Sequence, residues 1–283
     1  MLFRRHNNIL RAAVATAVSS TSIFLKCGTT TTTSSTCDGK SGEDYTVHKT
    51  RKACVANYVA NDPCEDRFYV HEDNDVSVVA VFDGHGGWNV SDFSSRVLVP
   101  KLLSKLTENN DTDTSIDSAC LSSFQEVEDE YINSIKLSYS LGFGGVASVG
   151  SCVNVAIKKG KRLSIANCGD CRAVLGSEVK DNDKNAFYVA SRLSRDHNAR
   201  VALEVLNLTL EHPGEEGLVR CKHPTACYVK GRLQLTRSIG DLYLKYNEFN
   251  APAGQPRARY GYALTALTAL TALNRLNQDG VTL

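Results

Sequence analysis

The chain has 283 residues, of which 42% are hydrophobic and 22% charged, and its formal net charge is +1. That length allows one large domain or two small ones, and the near-neutral balance provides no basic stripe of the kind that engages nucleic acid. No apolar run reaches the ~18 residues that a membrane span needs, so the composition is that of an ordinary globular chain.

Residues 1–47 form a first segment. Up to residue 37 it holds Arg4, Arg5, Arg11 and Lys26 with no acidic residue, is rich in Ser, Thr and Ala, and closes on the run TTTTTSSTC. An acid-free, Arg-bearing, hydroxyl-rich start fits a mitochondrial transit peptide, and it fits a disordered tail equally well. The expected localisation is therefore mitochondrial or cytoplasmic. From about residue 48 the pattern becomes globular. The run VSVVAVF at 76–82 is nearly continuous in β-branched and apolar residues, which predicts a strand covered on both faces. It leads straight into Asp83-Gly84-His85-Gly86-Gly87. Val90, Phe93, Val97, Leu98 and Leu102 then recur at helical spacing. A second helix is predicted over 114–137, with Ile116, Cys120, Phe124, Val127, Tyr131 and Ile135 as one apolar stripe and Asp111 to Asp113 as capping residues.

Glycines at 141–150 precede three strand candidates, SCVNVAIKKG, RLSIANCGD and CRAVLGS, separated by Gly-Lys and Gly-Asp turns as in a meander of hairpins. A helix is predicted after Asp196 with Val201, Leu203, Val205, Leu206 and Leu208 as its apolar positions, and 231–245 returns to strand and turn. The mixed order predicts an α+β fold rather than a parallel βαβ series. The stretch ALTALTALTAL at 263–273 repeats every three residues, matching neither a helix nor a strand. It is assigned to a low-complexity tail over 251–283.

Ten cysteines are scattered along the chain, which suits reduced thiols better than a secreted disulfide frame. Cys168 and Cys171 have the spacing of a redox or zinc pair, and Cys221, His223 and Cys227 could complete a zinc set. Against this, Cys168 ends one strand candidate and Cys171 opens the next, so a hairpin turn with structural thiols is the preferred reading.

Carboxylates are the main polar interruptions of the apolar runs: Glu65 and Asp66 in PCEDRF, Asp83 at a strand end, Asp170 in a turn and Asp241 after RSIG. A carboxylate at the end of a buried strand is costly unless it is paired or metal-bound. Oxygen-rich sites suit hard cations such as Mg²⁺ or Mn²⁺. Two such ions about 3.5–4 Å apart can share a carboxylate and hold a nucleophile for in-line attack on phosphorus, while a neighbouring histidine protonates the leaving oxygen. Asp83 and His85 have the chemistry for those two roles. Taken singly, each residue also fits a helix cap, a turn or an unremarkable histidine.

The segments CEDRF, VVAVFDGHGG, RLSIANCGDCRAVLG, LSRDHNA and LTRSIGD, in that order and spacing, resemble the PP2C-type metal-dependent serine/threonine phosphatases over roughly residues 48–250. NDPCEDRF, LSRDHNA and YLKYNEFNAP resemble the pyruvate dehydrogenase phosphatase-like branch. The resemblance implies two packed antiparallel β-sheets flanked by helices in a four-layer sandwich. It also implies hydrolysis of phosphoserine and phosphothreonine on a phosphoprotein substrate by attack of a metal-activated water, with two Mn²⁺ or Mg²⁺ ions per site. A monomer is expected. By position, Asp83 would bridge the metals, the Gly84 carbonyl and Glu65 would complete the second site, and Asp66 would lie in its water shell. His85 would be the general acid and Asp170 a ligand of a weaker third metal, with Arg237 and Asp241 as structural support. Three departures stand out. Asn61 replaces a phosphate-gripping arginine, and Cys171 replaces the usual serine. The family's final strand with DGLWD has only a superficial match in Asp279-Gly280, so missing final strands are expected. The alternatives to an active phosphatase are a catalytically impaired phosphatase-like binding module and a zinc or redox protein built on the cysteines.

Overall fold

The computed structural model describes residues 10–15, 21–25, 45–49, 53–58, 62–73, 75–108, 113–160, 162–180, 186–250, 274–277 and 280–282. In chain order the strands are β1 (Leu10–Ala15), β2 (Thr21–Leu25), β3 (Tyr45–Lys49), β4 (Ala53–Tyr58), β5 (Arg67–Glu72) and β6 (Val76–His85), followed by helices α1 (Asn89–Glu108) and α2 (Asp113–Ser140). Then come β7 (Gly150–Lys159), β8 (Arg162–Cys168), β9 (Arg172–Lys180), β10 (Ala186–Arg192), α3 (Ala202–Glu211), β11 (Val219–His223), β12 (Ala226–Val229), β13 (Ile239–Gly240), α4 (Leu242–Lys245), β14 (Asn274–Asn277) and β15 (Gly280–Thr282).

The strands form two antiparallel sheets and a separate β11–β12 hairpin. The first sheet runs β15-β14-β8-β7-β6-β5, with β13 also on β7, and the second runs β10-β9-β1-β2-β4-β3. Strand β6 explains why they stack. Its side chains alternate by the two-residue period of a strand: Val78, Ala80 and Phe82 enter the core beneath α1 and α2, whereas Val79 and Val81 enter the core shared with the second sheet. All five are at most 1% exposed, and burying a Val or Phe side chain contributes about 1.5–3 kcal/mol. The helices dock by the predicted stripe, since Cys120, Phe124, Val127, Tyr131 and Ile135 of α2 and Val90, Leu98 and Leu102 of α1 all lie in the helix-side core.

Within the 1–47 segment, residues 10–15 and 21–25 form strands that pair with β9 and β4. Three expectations change. The Gly169-Asp170 turn is no hairpin: β8 belongs to the first sheet and β9 to the second, so this turn carries the chain between the layers. The helix after Asp196 exists, but Leu203 and Leu206 are exposed while Glu204 and Leu208 are buried, because the helix packs on the small β11–β12 hairpin and not on a main sheet. Finally, β14 pairs with β8, so the sheet edge expected to lack its last strands carries two more. Among the described residues no helix is long and apolar enough to cross a membrane. The ALT repeat lies outside the described residues.

Candidate metal centre

The alternation that buries Val79 and Val81 between the sheets carries Asp83 and His85 onto that same face at the end of β6. In the β6–β7 ladder Asp83 stands opposite Cys152 and His85 opposite Gly150. The sheet-to-sheet turn brings Asp170 to the same spot, where ligand atoms of Asp83, Cys152 and Asp170 lie within 4.8 Å of one another. Asn198 Nδ2 donates to Asp170 Oδ2 at 3.1 Å, which fixes the rotation of that carboxylate.

Glu65 and Asp66 arrive from the loop before β5. Arg67 ties this loop down by donating to the carbonyls of Cys64 and Asp66 at 2.9 and 2.8 Å and to Asp92 of α1 at 3.2 Å. Ser91 Oγ donates to the carbonyls of both Glu65 and Trp88, which joins the loop to the glycine turn. A side chain at Gly84 would strike the Glu65 carbonyl and the Ser91 hydroxyl, so glycine is required there for close approach.

The electrostatics follow from this crowding. Burial, then the carboxylates of Asp66 and Asp170, push the Asp83 carboxyl up to about 7, with Glu65 adding to the rise and His85 opposing it. Such convergent carboxylates repel unless a cation joins them, and the ligand atoms of Asp83 and Asp170 lie close enough together for a divalent ion to join them. The Gly84 carbonyl belongs to the same turn.

His85 has a different partner. Its Nε2 lies 2.8 Å from Asp241 Oδ2, and that oxygen also accepts from Ser238 Oγ at 2.6 Å. Burial is the largest influence and opposes the imidazolium, but Asp241, with Asp83 and Asp170 adding to it, makes the net shift of the histidine pKa upward. Asp241 sits in the left-handed region at φ 52°, a conformation costing about 1–3 kcal/mol for a non-glycine residue. It is held there by its own N–H, which donates to the Val149 carbonyl at 2.9 Å. A buried ion pair lies behind it: Lys245 Nζ reaches Glu128 Oε1 at 2.6 Å and the Ser238 carbonyl at 2.8 Å, while the Gly240 N–H donates to Glu128 Oε2 at 2.9 Å.

Of the residues singled out from the sequence, Asp83 and Asp170 come together, the charges of Asp66 and Glu65 act on Asp83, and His85 meets Asp241. Arg237 pairs with Glu204 of α3 at 3.3 Å. Sequence reasoning missed Ser91, Cys152, Gly150, Asn198 and the Glu128–Lys245 pair. Only Glu128 left a trace, as an acidic residue four positions after Phe124 inside the apolar stripe of α2. The cysteine readings divide. Cys168 is buried in the helix-side core and Cys171 in the inter-sheet core, so they cannot share a metal. Cys221 and Cys227 form a disulfide, which removes the proposed zinc set and departs from the expectation of reduced thiols, because the β11–β12 register sets those two residues opposite each other.

Comparison with known proteins agrees with this geometry. The family model for Protein phosphatase 2C matches residues 43–280. The chain is 35% identical over 195 residues to "Probable protein phosphatase 2C 63" of Arabidopsis thaliana, covering 69% of this chain and 50% of the relative. It is 36% identical over 202 residues to "Probable protein phosphatase 2C 78" of Oryza sativa subsp. japonica, covering 71% and 50%. The chain thus spans about half the length of the curated relatives it matches. Among solved structures, serine-threonine phosphatase 2C from Toxoplasma gondii superposes with a TM-score of 0.54 at 16% identity, covering 94% of this chain and 77% of that one, which supports the fold. These relatives lend no support to the narrower resemblance to the pyruvate dehydrogenase phosphatase-like branch or to the expected C-terminal incompleteness. With its carboxylate cluster and its family match over 43–280, the chain belongs to the protein phosphatase 2C family.

Proposed function

We propose that this chain is a metal-dependent phosphatase acting on phosphoserine and phosphothreonine in proteins, with Mn²⁺ or Mg²⁺ as its cation. The observation that carries this reading is the His85–Asp241 contact of 2.8 Å beside convergent carboxylates at one end of the inter-sheet layer. Hard cations bound there would neutralise phosphate charge and activate water for in-line attack. Asp83 would hold the cation, together with Glu65, Asp66, Asp170 and the Gly84 carbonyl. His85, whose charged form the adjacent Asp241 carboxylate favours, donates its proton to the departing serine or threonine oxygen. Asp241 also orients the ring by accepting from Nε2. The left-handed turn at Asp241 and the ion pair behind it hold that carboxylate in place, so the acid is positioned before substrate arrives.

The test is hydrolysis of a phosphoserine peptide with Mn²⁺. The wild type turns over only with the cation, Asp83→Asn abolishes turnover, and His85→Gln slows it by about 10²–10⁴-fold, as for loss of a general acid. Folded wild-type protein that binds phosphopeptide without hydrolysing it would establish the impaired binding module instead. Full activity in Asp83→Asn would remove the assigned site.

A further inference from the structure

The chain has a single tryptophan, and it lies outside the cores. Trp88 directly follows Gly87, three residues after His85, and is 40% exposed, although tryptophan is highly buried on average. Its carbonyl accepts from Ser91 Oγ at 2.9 Å, and the same hydroxyl donates to the Glu65 carbonyl, so Trp88 stands beside the loop that carries Glu65 and Asp66. The Arg67 guanidinium lies over the indole ring, 5.8 Å from its centroid. Arg67 is itself fixed by its bonds to the Cys64 and Asp66 carbonyls and to Asp92. The turn before the ring is fixed as well. Gly86 and Gly87 adopt φ +70° and +140°, and a side chain at Gly86 would strike the Ser148 carbonyl. An aromatic surface is thus held in place at the rim of the carboxylate cluster, with one side on a guanidinium and the rest open.

We propose that Trp88 is a substrate anchor, whose open ring packs against an apolar side chain within about three residues of the phosphoserine or phosphothreonine and so selects phosphoprotein segments that carry one there. This deepens the phosphatase reading and rests on it for the position of the phosphate. The reach follows from the backbone. Three residues separate Trp88 from His85, at most roughly 10–11 Å, and an extended peptide covers that with about three residues at ~3.3 Å each. The chemistry follows from charge. A basic side chain on the ring would meet the like charge of Arg67. An acidic one would meet the negative face of the indole, and would find both nearby guanidiniums already matched by Asp92, which accepts from Arg67 Nε at 3.2 Å and Arg96 Nη2 at 2.8 Å. An apolar side chain incurs neither cost and gains by leaving water. Because ring and turn are in place before binding, little freedom is lost on contact, which suits tryptophan as a dominant contact of an interface. The contact is made alike in ground and transition states, so it acts on substrate binding and not on the chemical step. Other exposed apolar side chains lack this placement: Phe187 pairs with Val179, at the end of β9 away from the Asp170 turn, and Leu203 and Leu206 lie on α3.

The experiment compares two phosphoserine peptides on the full chain, one with leucines and one with glycines two residues to either side of the phosphoserine. In Mn²⁺ the wild type should favour the leucine peptide by about tenfold or more in kcat/KM, carried by KM, as for a tryptophan hot spot. Trp88→Ala, checked for folding by circular dichroism, should lose the preference, Trp88→Phe should keep much of it, and Phe187→Ala should keep all of it. Binding is read apart from turnover, because Trp88 is the only tryptophan. Non-hydrolysable phosphonate analogues of the same peptides are titrated into wild type in Mg²⁺, and the leucine analogue should move the tryptophan emission to shorter wavelength while the glycine analogue leaves it unchanged. Equal kcat/KM for the two peptides in wild type, a preference that survives in folded Trp88→Ala, or an emission unmoved at saturating leucine analogue overturns the proposal. Should Trp88→Ala not fold, the wild-type emission titration decides alone. The two readings fail separately: the emission shift in a protein that hydrolyses neither peptide removes the phosphatase reading and keeps the anchor, whereas equal hydrolysis of both without the shift removes the anchor alone.

Discussion

Gly150→Ala offers the most direct test of how the acid is positioned. No left-handed backbone demands glycine there, since Gly150 is an ordinary residue of β7 opposite His85. The demand is for room: a Cβ would overlap Asp241 Oδ2 and would stand 2.5 Å from His85 Nε2 and 2.6 Å from Asp241 Cγ. Real Cβ contacts essentially never fall below 3.0 Å, so the pair must separate or β7 must shift by several tenths of an ångström. Overpacking of this kind costs about 1–3 kcal/mol, which in a chain of this size lowers Tm by roughly 2–4 °C per kcal/mol. The catalytic loss should be larger, because a misplacement near 1 Å costs on the order of 10²-fold in rate. The assay is kcat for phosphopeptide in Mn²⁺, alongside thermal melts, with Gly144→Ala as control because no atom lies within 4 Å of its Cβ position. A Gly150→Ala protein with kcat within threefold of wild type would refute the argument that His85 and Asp241 must keep this contact, whatever its Tm.

Two further outcomes follow from buried groups away from the carboxylates. Lys245→Met should destabilise by about 3–5 kcal/mol by leaving Glu128 buried and unpaired, read as a lowered urea midpoint, and the double variant Glu128→Leu, Lys245→Met should recover part of that loss; an unchanged midpoint in Lys245→Met would show that the pair holds nothing in place. His197 is 1% exposed and accepts from the Gly169 N–H on Nδ1 at 3.2 Å; burial, then the charges of Arg237 and Arg195, push its pKa down to about 3. A depressed pKa means the stabilising contribution is complete above the unfolded value near 6.5 and is lost as pH falls towards the folded value, at about 1.4 kcal/mol per pH unit within that window. Urea midpoints at pH 7.5 and 5.5 should therefore differ more in wild type than in His197→Asn, and equal pH slopes would show that His197 is not held neutral.

How much of this was open to sequence reasoning depends on whether the signal was local. Strand β6 and helices α1 and α2 announced themselves, because burial on both faces demands a continuous apolar run and burial on one face demands a helical stripe. Helix α3 shows the limit of that logic. Its leucines suggested a core face, yet Leu203 and Leu206 are exposed and Glu204 is buried, where its carboxylate meets Thr236 and Arg237. Which face a short helix buries depends on what lies beside it, and its own residues do not carry that information.

The site divides in the same way. Asp83, Asp170, Glu65, Asp66 and Asp241 stood out in the sequence as polar interruptions of apolar runs with His85 beside them, but singly each also fitted a cap or a turn, and only their order, shared with a known family, grouped them. That His85 belongs to Asp241, 156 residues away, was decided by tertiary structure, through β13 pairing with β7 at Gly150. So was the position of Cys152. Nothing in SCVNVAIKKG marks its second residue as a possible ligand until the β6–β7 register sets it opposite Asp83. Likewise the GDC turn looked like a hairpin until the strands on either side were found in different sheets, sending Cys168 to one core and Cys171 to the other. Side-chain chemistry and strand periodicity are local properties and can be taken from the chain itself. Register and the crossing between layers arise only when distant segments compete to bury the same surface, and the packed fold alone settles that competition.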